Sequence, residues 1–235
     1  MGQIVITGAS SAIGWAIAEE LSTIGKPMLL QGTRKHELPL NELSANAEFV
    51  MADFSSPAAL EHFISRLTDV DILVNAAACT ITELLPQTRD ESIDKMIAVN
   101  IAALVKICKA IIPPMCAKRS GVIVNITSVA ASKVYRGQSV YAGTKAFAEA
   151  FSKGIAAEYG RKGVRCNCVA PGCINSGTLK LLAHIAKDKI NQSNAMAKMG
   201  EPRDVAAAVA FLCREENAFI NGTVLHVDGG QWIGL

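Results

Sequence analysis

The sequence lacks the features that identify several classes of protein. Its net charge is only +2 at neutral pH and its basic clusters are short, so nothing indicates nucleic acid as a partner. No apolar run approaches ~18 residues, the length that predicts a membrane span. A strand-like segment begins by Gln3, which leaves no room for a signal peptide, and Ile6 stands where a myristoylation signal requires Ser or Thr. We therefore expect a soluble, cytoplasmic protein.

The sequence also lacks the cysteine and histidine patterns of a metal site. Its seven cysteines contain no Cys-x-x-Cys pair, and its four histidines are scattered along the chain. Structural zinc sites need such ligands at short, regular spacing. Reduced and mostly buried cysteines are the better interpretation, and we expect no metal site.

Aromatic residues are few, at 5%, but half of the 235 residues are apolar, which is enough for a large core within one domain. Apolar segments typical of strands alternate with segments of helical periodicity. We predict strands at 3–7, 27–31, 48–52, 71–75, 121–127, 164–170 and 223–227. We predict helices at 15–24, 57–67, 93–115, 140–160 and 202–213.

The predicted strands are apolar on both faces, and no linker or repeat interrupts the alternation. This pattern is typical of an α/β fold in which helices cover both faces of a parallel sheet. Pro113 and Pro114 should kink or end the long helix at 93–115. Pro202 is expected to open the last helix at its first position.

A turn of small residues joins the first strand to the first helix. It runs from Gly8 to Gly14 with the sequence GASSAIG. Small residues let a backbone approach a pyrophosphate closely, and the start of a helix offers free N–H groups and a positive dipole. An ordinary strand–helix turn would also fit the glycines alone, but this context favours a dinucleotide-binding loop.

The second strand is followed by Gly32-Thr-Arg34, where dinucleotide-binding folds select their cofactor. An acid about twenty residues after the glycine loop binds the ribose of NAD, whereas an arginine accommodates the 2′-phosphate of NADP. There is no acid between Gln31 and His36, and Arg34 lies in the window. The sequence therefore favours NADP(H), with NAD(H) as the alternative.

A tyrosine and a lysine lie four residues apart in Tyr141-Ala-Gly-Thr-Lys145, and Ser128 lies thirteen residues before the tyrosine. Residues i and i+4 share a face of a helix, so the two side chains can approach each other. A nearby ammonium group lowers the pKa of a phenol, which lets it exchange a proton near neutral pH. Such pairs are common on solvated helix faces, so the meaning of this one depends on its neighbours.

Polar features follow each predicted strand, at the sheet edge where ligands bind in open α/β folds. Together they resemble the short-chain dehydrogenase/reductase family across essentially the whole chain. The motifs that carry the resemblance are Thr7-Gly-Ala-Ser-Ser-Ala-Ile-Gly14, Asp53, Asn75, Asn100 in Val-Asn-Ile, Ser128, Tyr141-Ala-Gly-Thr-Lys145, Asn167 in Arg-Cys-Asn-Cys-Val-Ala-Pro-Gly, and His226-Val-Asp-Gly-Gly230. Each is common alone, but their order and spacing are specific. The resemblance implies a single Rossmann-type domain over residues 1–235, a doubly wound parallel sheet of about seven strands.

The resemblance implies catalytic roles for four residues. Tyr141 would be the general acid when a ketone is reduced, and Ser128 would hydrogen-bond the carbonyl oxygen. Lys145 would lower the pKa of Tyr141 and bind the nicotinamide ribose. Asn100 would support a water-mediated proton relay to that lysine.

It also implies a set of cofactor contacts. Asp53 would hydrogen-bond the adenine amino group, and Pro171-Gly172 with Ile174 would pack near the nicotinamide amide. The full implied set is Gly8, Ser10, Ser11, Ile13, Gly14, Arg34, Asp53, Phe54, Asn75, Tyr141, Lys145, Pro171, Gly172 and Ile174.

One loop departs from the family pattern. After the fourth strand the family has Asn-Asn-Ala-Gly, whereas this chain has Asn75-Ala-Ala-Ala78. Position 78 would border the nicotinamide ribose, where a methyl group could crowd the cofactor or shift the backbone. The threonine often found after Pro-Gly is Ser176 here, which keeps the hydroxyl.

In length and in its ending, the chain most resembles the 3-oxoacyl-[acyl carrier protein] reductase branch of the family. That similarity implies an NADP(H)-dependent reductase of a ketone or 3-oxoacyl thioester, a homotetramer, and a substrate lid at 173–199. Arg136 would meet an acidic substrate or carrier, or simply be exposed. A dinucleotide-binding regulatory or scaffold protein without catalysis is the alternative, which the alanines at 76–78 support. A methyltransferase fits less well, because it has no need of Tyr-x-x-x-Lys.

Overall fold

The computed structural model describes residues 2–34, 38–43, 46–177 and 193–233. Its centre is a parallel sheet of seven strands in the order β3-β2-β1-β4-β5-β6-β7. The strands are β1 (Gln3–Thr7), β2 (Met28–Gly32), β3 (Ala47–Met51), β4 (Val70–Asn75), β5 (Gly121–Ile126), β6 (Val164–Pro171) and β7 (Val224–Val227). This confirms the predicted fold class, a single Rossmann-type domain.

Helices cover both faces of the sheet. They are α1 (Ala12–Ser22), α2 (Pro57–Ser65), α3 (Asp90–Ile97), α4 (Leu104–Lys118), α5 (Ser139–Tyr159) and α6 (Pro202–Cys213). Short 3₁₀ turns lie at Leu40–Glu42, Leu85–Gln87, Val129–Ala131, Gly160–Lys162 and Glu215–Asn217. The predicted strands and helices all occur, although the helix predicted at 93–115 is divided in two. For the other elements no bound differs by more than three residues.

Local sequence signals explain where several helices begin. Ser11 and Ser56 cap α1 and α2, because each hydroxyl accepts a hydrogen bond from a backbone N–H three residues later. Pro202 opens α6 as predicted, next to a reciprocal capping pair between Glu201 and Asp204.

Two hydrophobic layers hold the helices to the sheet. On one face α1 and α6 pack through Ile17, Leu21, Val205 and Val209. On the other face α2, α4 and α5 pack on the sheet through buried residues that include Phe63, Ile107 and Ile155. The order of strands reverses between β1 and β4, so the two halves of the sheet diverge there and leave a crevice at the carboxyl ends of the strands.

The long helix predicted at 93–115 is divided into α3 and α4 by a π-helical turn, Ala98–Ala103. Helix α4 does not end at Pro113 and Pro114 but continues to Lys118, and the neighbouring Ile111, Ile112 and Met115 are buried in the core. Burial of these side chains offsets the backbone hydrogen bonds that the prolines cannot make.

The run Asp90–Lys118 is long and apolar enough to cross a membrane by length and composition alone. Half of its most apolar window is buried inside the protein, where it packs on the sheet. The core helix of a globular domain meets the same criterion, so this run is only a weak indication of a span.

All seven cysteines are free thiols, and four of them are buried. Burial raises the pKa of the Cys108 thiol to about 12, so this thiol is neutral and unreactive at physiological pH. Within the described ranges, no group of three or more His, Cys, Asp or Glu side chains is placed to hold a metal ion. His36 and His184 lie outside the described residues.

One carboxyl group on α5 is half-buried against the sheet. Burial raises the pKa of Glu149, and the hydrogen bond from Thr127 and the charges of His226 and Lys153 lower it only in part. Thr127 Oγ1 lies 3.2 Å from the Glu149 carboxylate. Because the folded state holds this proton more tightly than the unfolded chain, stability falls as pH rises from the unfolded pKa through the raised folded pKa.

We therefore expect Glu149→Gln to raise the melting temperature by about 1–3 °C at pH 8, because an amide keeps the bond from Thr127 without a desolvated charge. The difference should shrink as the pH is lowered to 5. Thermal unfolding across pH, with the exposed Glu158→Gln as the matched control, measures both effects. A variant that is less stable than wild type at pH 8, with no dependence on pH, would contradict this account.

Candidate active site

A cavity of about 950 Å³ lies at the carboxyl edge of the sheet. It reaches from the glycine loop after β1 to the strand ends of β5 and β6, so it has the size of a site for a large ligand. The predicted site residues that line it are Gly8, Ser10, Ser11, Ile13, Arg34, Asp53, Phe54, Ser128, Tyr141, Lys145, Pro171, Gly172 and Ile174. Gly14, Asn75 and Asn100 were also predicted but do not line it.

The glycine loop is packed so closely that side chains would not fit. Gly8 has a φ of +70°, and a Cβ there would lie 2.6 Å from the backbone nitrogen of Ala77. A Cβ at Gly14 would lie 2.2 Å from the carbonyl oxygen of Gly8, so this glycine allows α1 to approach the loop rather than touching the cavity. Ser11 and Ile13 line the cavity at the start of α1, and a helix N-terminus favours an anion there.

Gln31, which the sequence analysis did not select, holds the glycine loop in place. Its side chain is fully buried at the end of β2, and its Oε1 accepts a hydrogen bond from the Gly8 N–H at 2.9 Å. Its Nε2 donates to the Ala52 carbonyl at 2.6 Å, which ties the loop to β3. The available signal was a polar side chain in an otherwise apolar strand.

The alanine loop at 76–78 is anchored at both ends by side chains. The Thr7 hydroxyl accepts hydrogen bonds from the N–H groups of Ala76 and Ala77 at 3.2 and 3.1 Å. At the other end, the Asn100 amide exchanges two hydrogen bonds with the backbone of Cys79, at 2.7 and 2.8 Å. The loop that departs from the family pattern is thus held in one conformation along the cavity wall.

Asn100 lies in the π-helical turn, and its side chain is turned away from the cavity. Besides Cys79, its Nδ2 donates to Thr144 Oγ1 at 3.0 Å, on the same helix as Tyr141 and Lys145. A small cavity of about 20 Å³ is lined by both Asn100 and Lys145 and is large enough for one water. π-helical turns are frequent at functional sites.

Asn75 was predicted as a cofactor contact, but its amide is buried under the sheet edge. Its Nδ2 donates to Asn125 Oδ1 at 2.8 Å, and Asn125 in turn donates to Ser152 Oγ at 2.7 Å. The side chain therefore joins β4 to β5 and α5, because a buried amide needs hydrogen-bond partners within the protein.

Arg34, Asp53 and Lys95 line the end of the cavity nearest β2 and β3. Hydrogen bonds from the Ser55 backbone N–H, and also from its hydroxyl, hold the pKa of Asp53 below its usual range against the opposing effect of burial. Lys95, a residue that the sequence analysis missed, lies 3.9 Å from the Asp53 carboxylate. Arg34 is exposed at this end of the cavity.

Tyr141 and Lys145 lie together on α5, as their spacing predicts. The Lys145 ammonium is 5.8 Å from the centroid of the Tyr141 ring and donates to the Ile126 carbonyl at 2.8 Å. Lys145 is only 6% exposed, so its charge acts in a region of low dielectric.

Ser128 lies on the cavity wall directly after β5. Its Oγ accepts a hydrogen bond from the Ala130 N–H at 3.1 Å, which caps the short turn Val129–Ala131. The hydroxyl proton remains able to donate to a ligand. Ser128, Tyr141 and Lys145 thus all line the same cavity.

The strand end after β6 also lines the cavity. Pro171 and Gly172 line it, and Ile174 is buried beside it. Of the lid predicted at 173–199, residues 178–192 lie outside the described residues.

Comparison with known proteins agrees with this geometry. The family model described as Enoyl-(Acyl carrier protein) reductase matches residues 8–231. The 3-oxoacyl-[acyl-carrier-protein] reductase FabG of Escherichia coli is 34% identical over 235 residues, which cover 97% of this chain and 96% of the relative. Nodulation protein G of Rhizobium meliloti is 36% identical, over 97% of this chain and 95% of its own.

Solved structures agree as well. A short chain dehydrogenase/reductase family protein has a TM-score of 0.91 at 29% identity and covers 99% of this chain and 97% of its own. ElxO with NADP bound has a TM-score of 0.87 at 29% identity, covering 98% of each chain. With the whole length, the fold and the motifs in agreement, the chain belongs to the short-chain dehydrogenase/reductase family of oxidoreductases.

Proposed function

We propose that this protein is an NADP(H)-dependent reductase that transfers a hydride to a ketone, and that the ketone is a 3-oxoacyl thioester. The observation that carries the proposal is the placing of Ser128, Tyr141 and Lys145 on the wall of a cavity that continues to the glycine loop. The relatives named as 3-oxoacyl-[acyl-carrier-protein] reductases and the neighbour named with NADP bound support the substrate and the cofactor.

The cavity fits a dinucleotide phosphate. Among its described lining residues are three cations, Arg34, Lys95 and Lys145, and a single acid, Asp53, so the balance of charge favours a polyanion. A pyrophosphate would bind at the start of α1, where Ser10, Ser11 and Ile13 line the cavity and would border it.

The other cofactor contacts follow from position along the cavity. Arg34 would pair with the 2′-phosphate, and Asp53 with Phe54 would border the adenine. Lys145 and Tyr141 would bind the nicotinamide ribose. Pro171, Gly172 and Ile174 would border the nicotinamide amide.

When bound, NADPH supplies the hydride that reaches the carbonyl carbon; the protein's residues position the substrate and supply the proton. Ser128 donates a hydrogen bond to the carbonyl oxygen and holds it against Tyr141. Tyr141 gives its proton to that oxygen as the negative charge develops. The buried ammonium of Lys145 stabilises the phenolate that remains.

Tyr141 must regain its proton after each turnover. We propose that Asn100 and Lys145 support this step through a water in the small cavity between them, which is large enough for one molecule. Asn100 also positions the catalytic helix directly, through Thr144.

The assembly and location are part of the proposal. The ring centroids of Phe147 and Phe151 on α5 lie 5.7 Å apart, and Phe147 is partly exposed. Exposed aromatic side chains of this kind are typical of the centre of an interface between protein chains. Phe211 and Phe219 are exposed near the edge strand β7 and offer a second such surface. Both surfaces support the proposal that the protein is a homotetramer, and we propose that it works in the cytoplasm.

Tyr141→Phe should lower kcat by about 10²–10⁴-fold, because the ring stays and only the proton donor is removed. Oxidation of NADPH by a 3-oxoacyl thioester, followed by absorbance, measures the loss. Tyr159→Phe, at the far end of the same helix, is the matched control and should keep wild-type turnover. Near-normal turnover of the Tyr141 variant would refute the mechanism.

Arg34→Ala should raise the KM for NADPH by about 10–100-fold with little effect on the KM for NADH, since only NADPH carries the 2′-phosphate. Steady-state kinetics with both cofactors separates the two effects. Arg203, an exposed arginine that does not line the cavity, provides the control Arg203→Ala. Equal effects on both cofactors would show that Arg34 does not recognise the phosphate.

Light scattering on a sizing column should give a particle of four chains. Phe147→Glu should reduce it to smaller species, because a charge cannot be buried unpaired in an apolar interface. A wild-type monomer at micromolar concentration would exclude the proposed assembly.

A further inference from the structure

Gln231, next to the C-terminal end of the described chain, is almost fully buried at the wall of the cavity, with 2% of its surface exposed. Its Oε1 accepts a hydrogen bond from the Cys173 N–H at 3.0 Å, and its Nε2 donates to the Tyr135 hydroxyl at 3.0 Å. Its backbone carbonyl accepts from Lys133 Nζ at 2.8 Å. One amide thus joins the turn after β7, the segment before α5 and the strand end after β6.

The orientation of this amide follows from chemistry. A backbone N–H can only donate, so the Cys173 N–H must face the amide oxygen of Gln231. The amide nitrogen therefore faces Tyr135, and the Tyr135 oxygen accepts. The phenolic proton of Tyr135 is left to donate elsewhere, and within the described part of the chain no group accepts it.

The residues around Gln231 leave space for its hydrogen bonds to Cys173 and Tyr135. A Cβ at Gly172 would lie 2.6 Å from Gln231 Oε1, so the glycine leaves room for the amide. Tyr135 lines the same cavity as Ser128 and Tyr141, which it lies between in sequence, and 39% of its surface is exposed. A second phenol donor is therefore held in a fixed position on the wall of the cavity that Ser128 and Tyr141 also line.

We propose that Tyr135, oriented by Gln231, donates a hydrogen bond to a second oxygen of the substrate, two carbons from the ketone. This inference rests on the proposed function, in which Ser128 and Tyr141 bind the ketone oxygen and leave Tyr135 for a second oxygen. A 3-oxoacyl thioester carries its thioester carbonyl at that position. Tyr135 would thus select 1,3-dicarbonyl substrates over simple ketones.

The test compares two substrates of equal length with NADPH. One is a 3-oxoacyl N-acetylcysteamine thioester, and the other is a ketone in which a methylene group replaces the thioester carbonyl. Tyr135→Phe should lower the ratio of their kcat/KM values, thioester over ketone, by about three- to tenfold, the usual effect of losing one neutral hydrogen bond. Tyr159→Phe should leave the ratio unchanged.

A second variant distinguishes a hydrogen bond from Tyr135 to the substrate from a purely structural role of Tyr135. In Gln231→Glu one carboxylate oxygen can still accept a hydrogen bond from the Cys173 N–H. The other oxygen replaces the amide nitrogen that donates to Tyr135, so it accepts the phenolic proton and Tyr135 can no longer donate that proton to the substrate. This nearly isosteric change should lower the ratio to a similar extent as Tyr135→Phe, with the tyrosine still present.

Equal losses on both substrates in Tyr135→Phe would assign the residue a structural role and overturn the inference, as would an unchanged ratio in both variants. If wild-type protein turns over neither substrate, the proposed function fails, and calorimetric binding of the 3-hydroxyacyl thioester in the presence of NADP⁺ then decides the inference alone. Binding three- to tenfold weaker in Tyr135→Phe than in wild type supports it. Equal affinity, or no binding to wild type, overturns it.

Discussion

The hydrogen bond from the Lys145 ammonium to the Ile126 carbonyl is the contact on which the site depends. An unpaired charge at this depth would cost several kcal/mol, and the carbonyl at the end of β5 provides part of the compensation. The contact fixes the rotation of α5 against the sheet. Tyr141 lies one turn earlier on the helix, Ser128 lies two residues after Ile126, and both line the cavity. Sheet, helix and proton donor are linked by this interaction, together with the hydrogen bonds from Asn100 to Thr144 and from Asn125 to Ser152.

The loops that form the rest of the cavity wall are held by polar side chains that hydrogen-bond their backbone. Gln31 and Thr7 bind the glycine and alanine loops, and Asn100 holds the end of the alanine loop against α5. These three residues lie on different elements, yet each satisfies N–H groups of a loop that belongs to neither a helix nor a strand. The missing amide and glycine of the family pattern at 76–78 therefore do not leave the loop unsupported. That weakens the main argument for a non-catalytic scaffold.

The fold, and the placing of Tyr141 and Lys145 on one helix at the cavity, could be predicted because their signals are local. Apolar runs, the glycine turn and the Tyr-x-x-x-Lys spacing each depend on residues close in sequence. Gln31 and Gln231 escaped prediction because their partners, Gly8 and Ala52 for one and Tyr135 and Cys173 for the other, are distant in sequence. Asn75 shows the converse. It follows a strand at the edge of the sheet where ligands bind, but its amide points into the protein. There it donates a hydrogen bond to the buried Asn125, its neighbour in the register of β4 and β5.

The central claim is that this site delivers a hydride to a carbonyl carbon while Tyr141 protonates the oxygen. The most direct measurement uses NADPH deuterated at the transferable position, offered with a 3-oxoacyl thioester and, separately, with an enoyl thioester. The account predicts a 3-hydroxyacyl thioester with one deuterium on carbon 3, detected by mass spectrometry. Labelled saturated acyl thioester as the only product, or no transfer of label to either substrate, would contradict it.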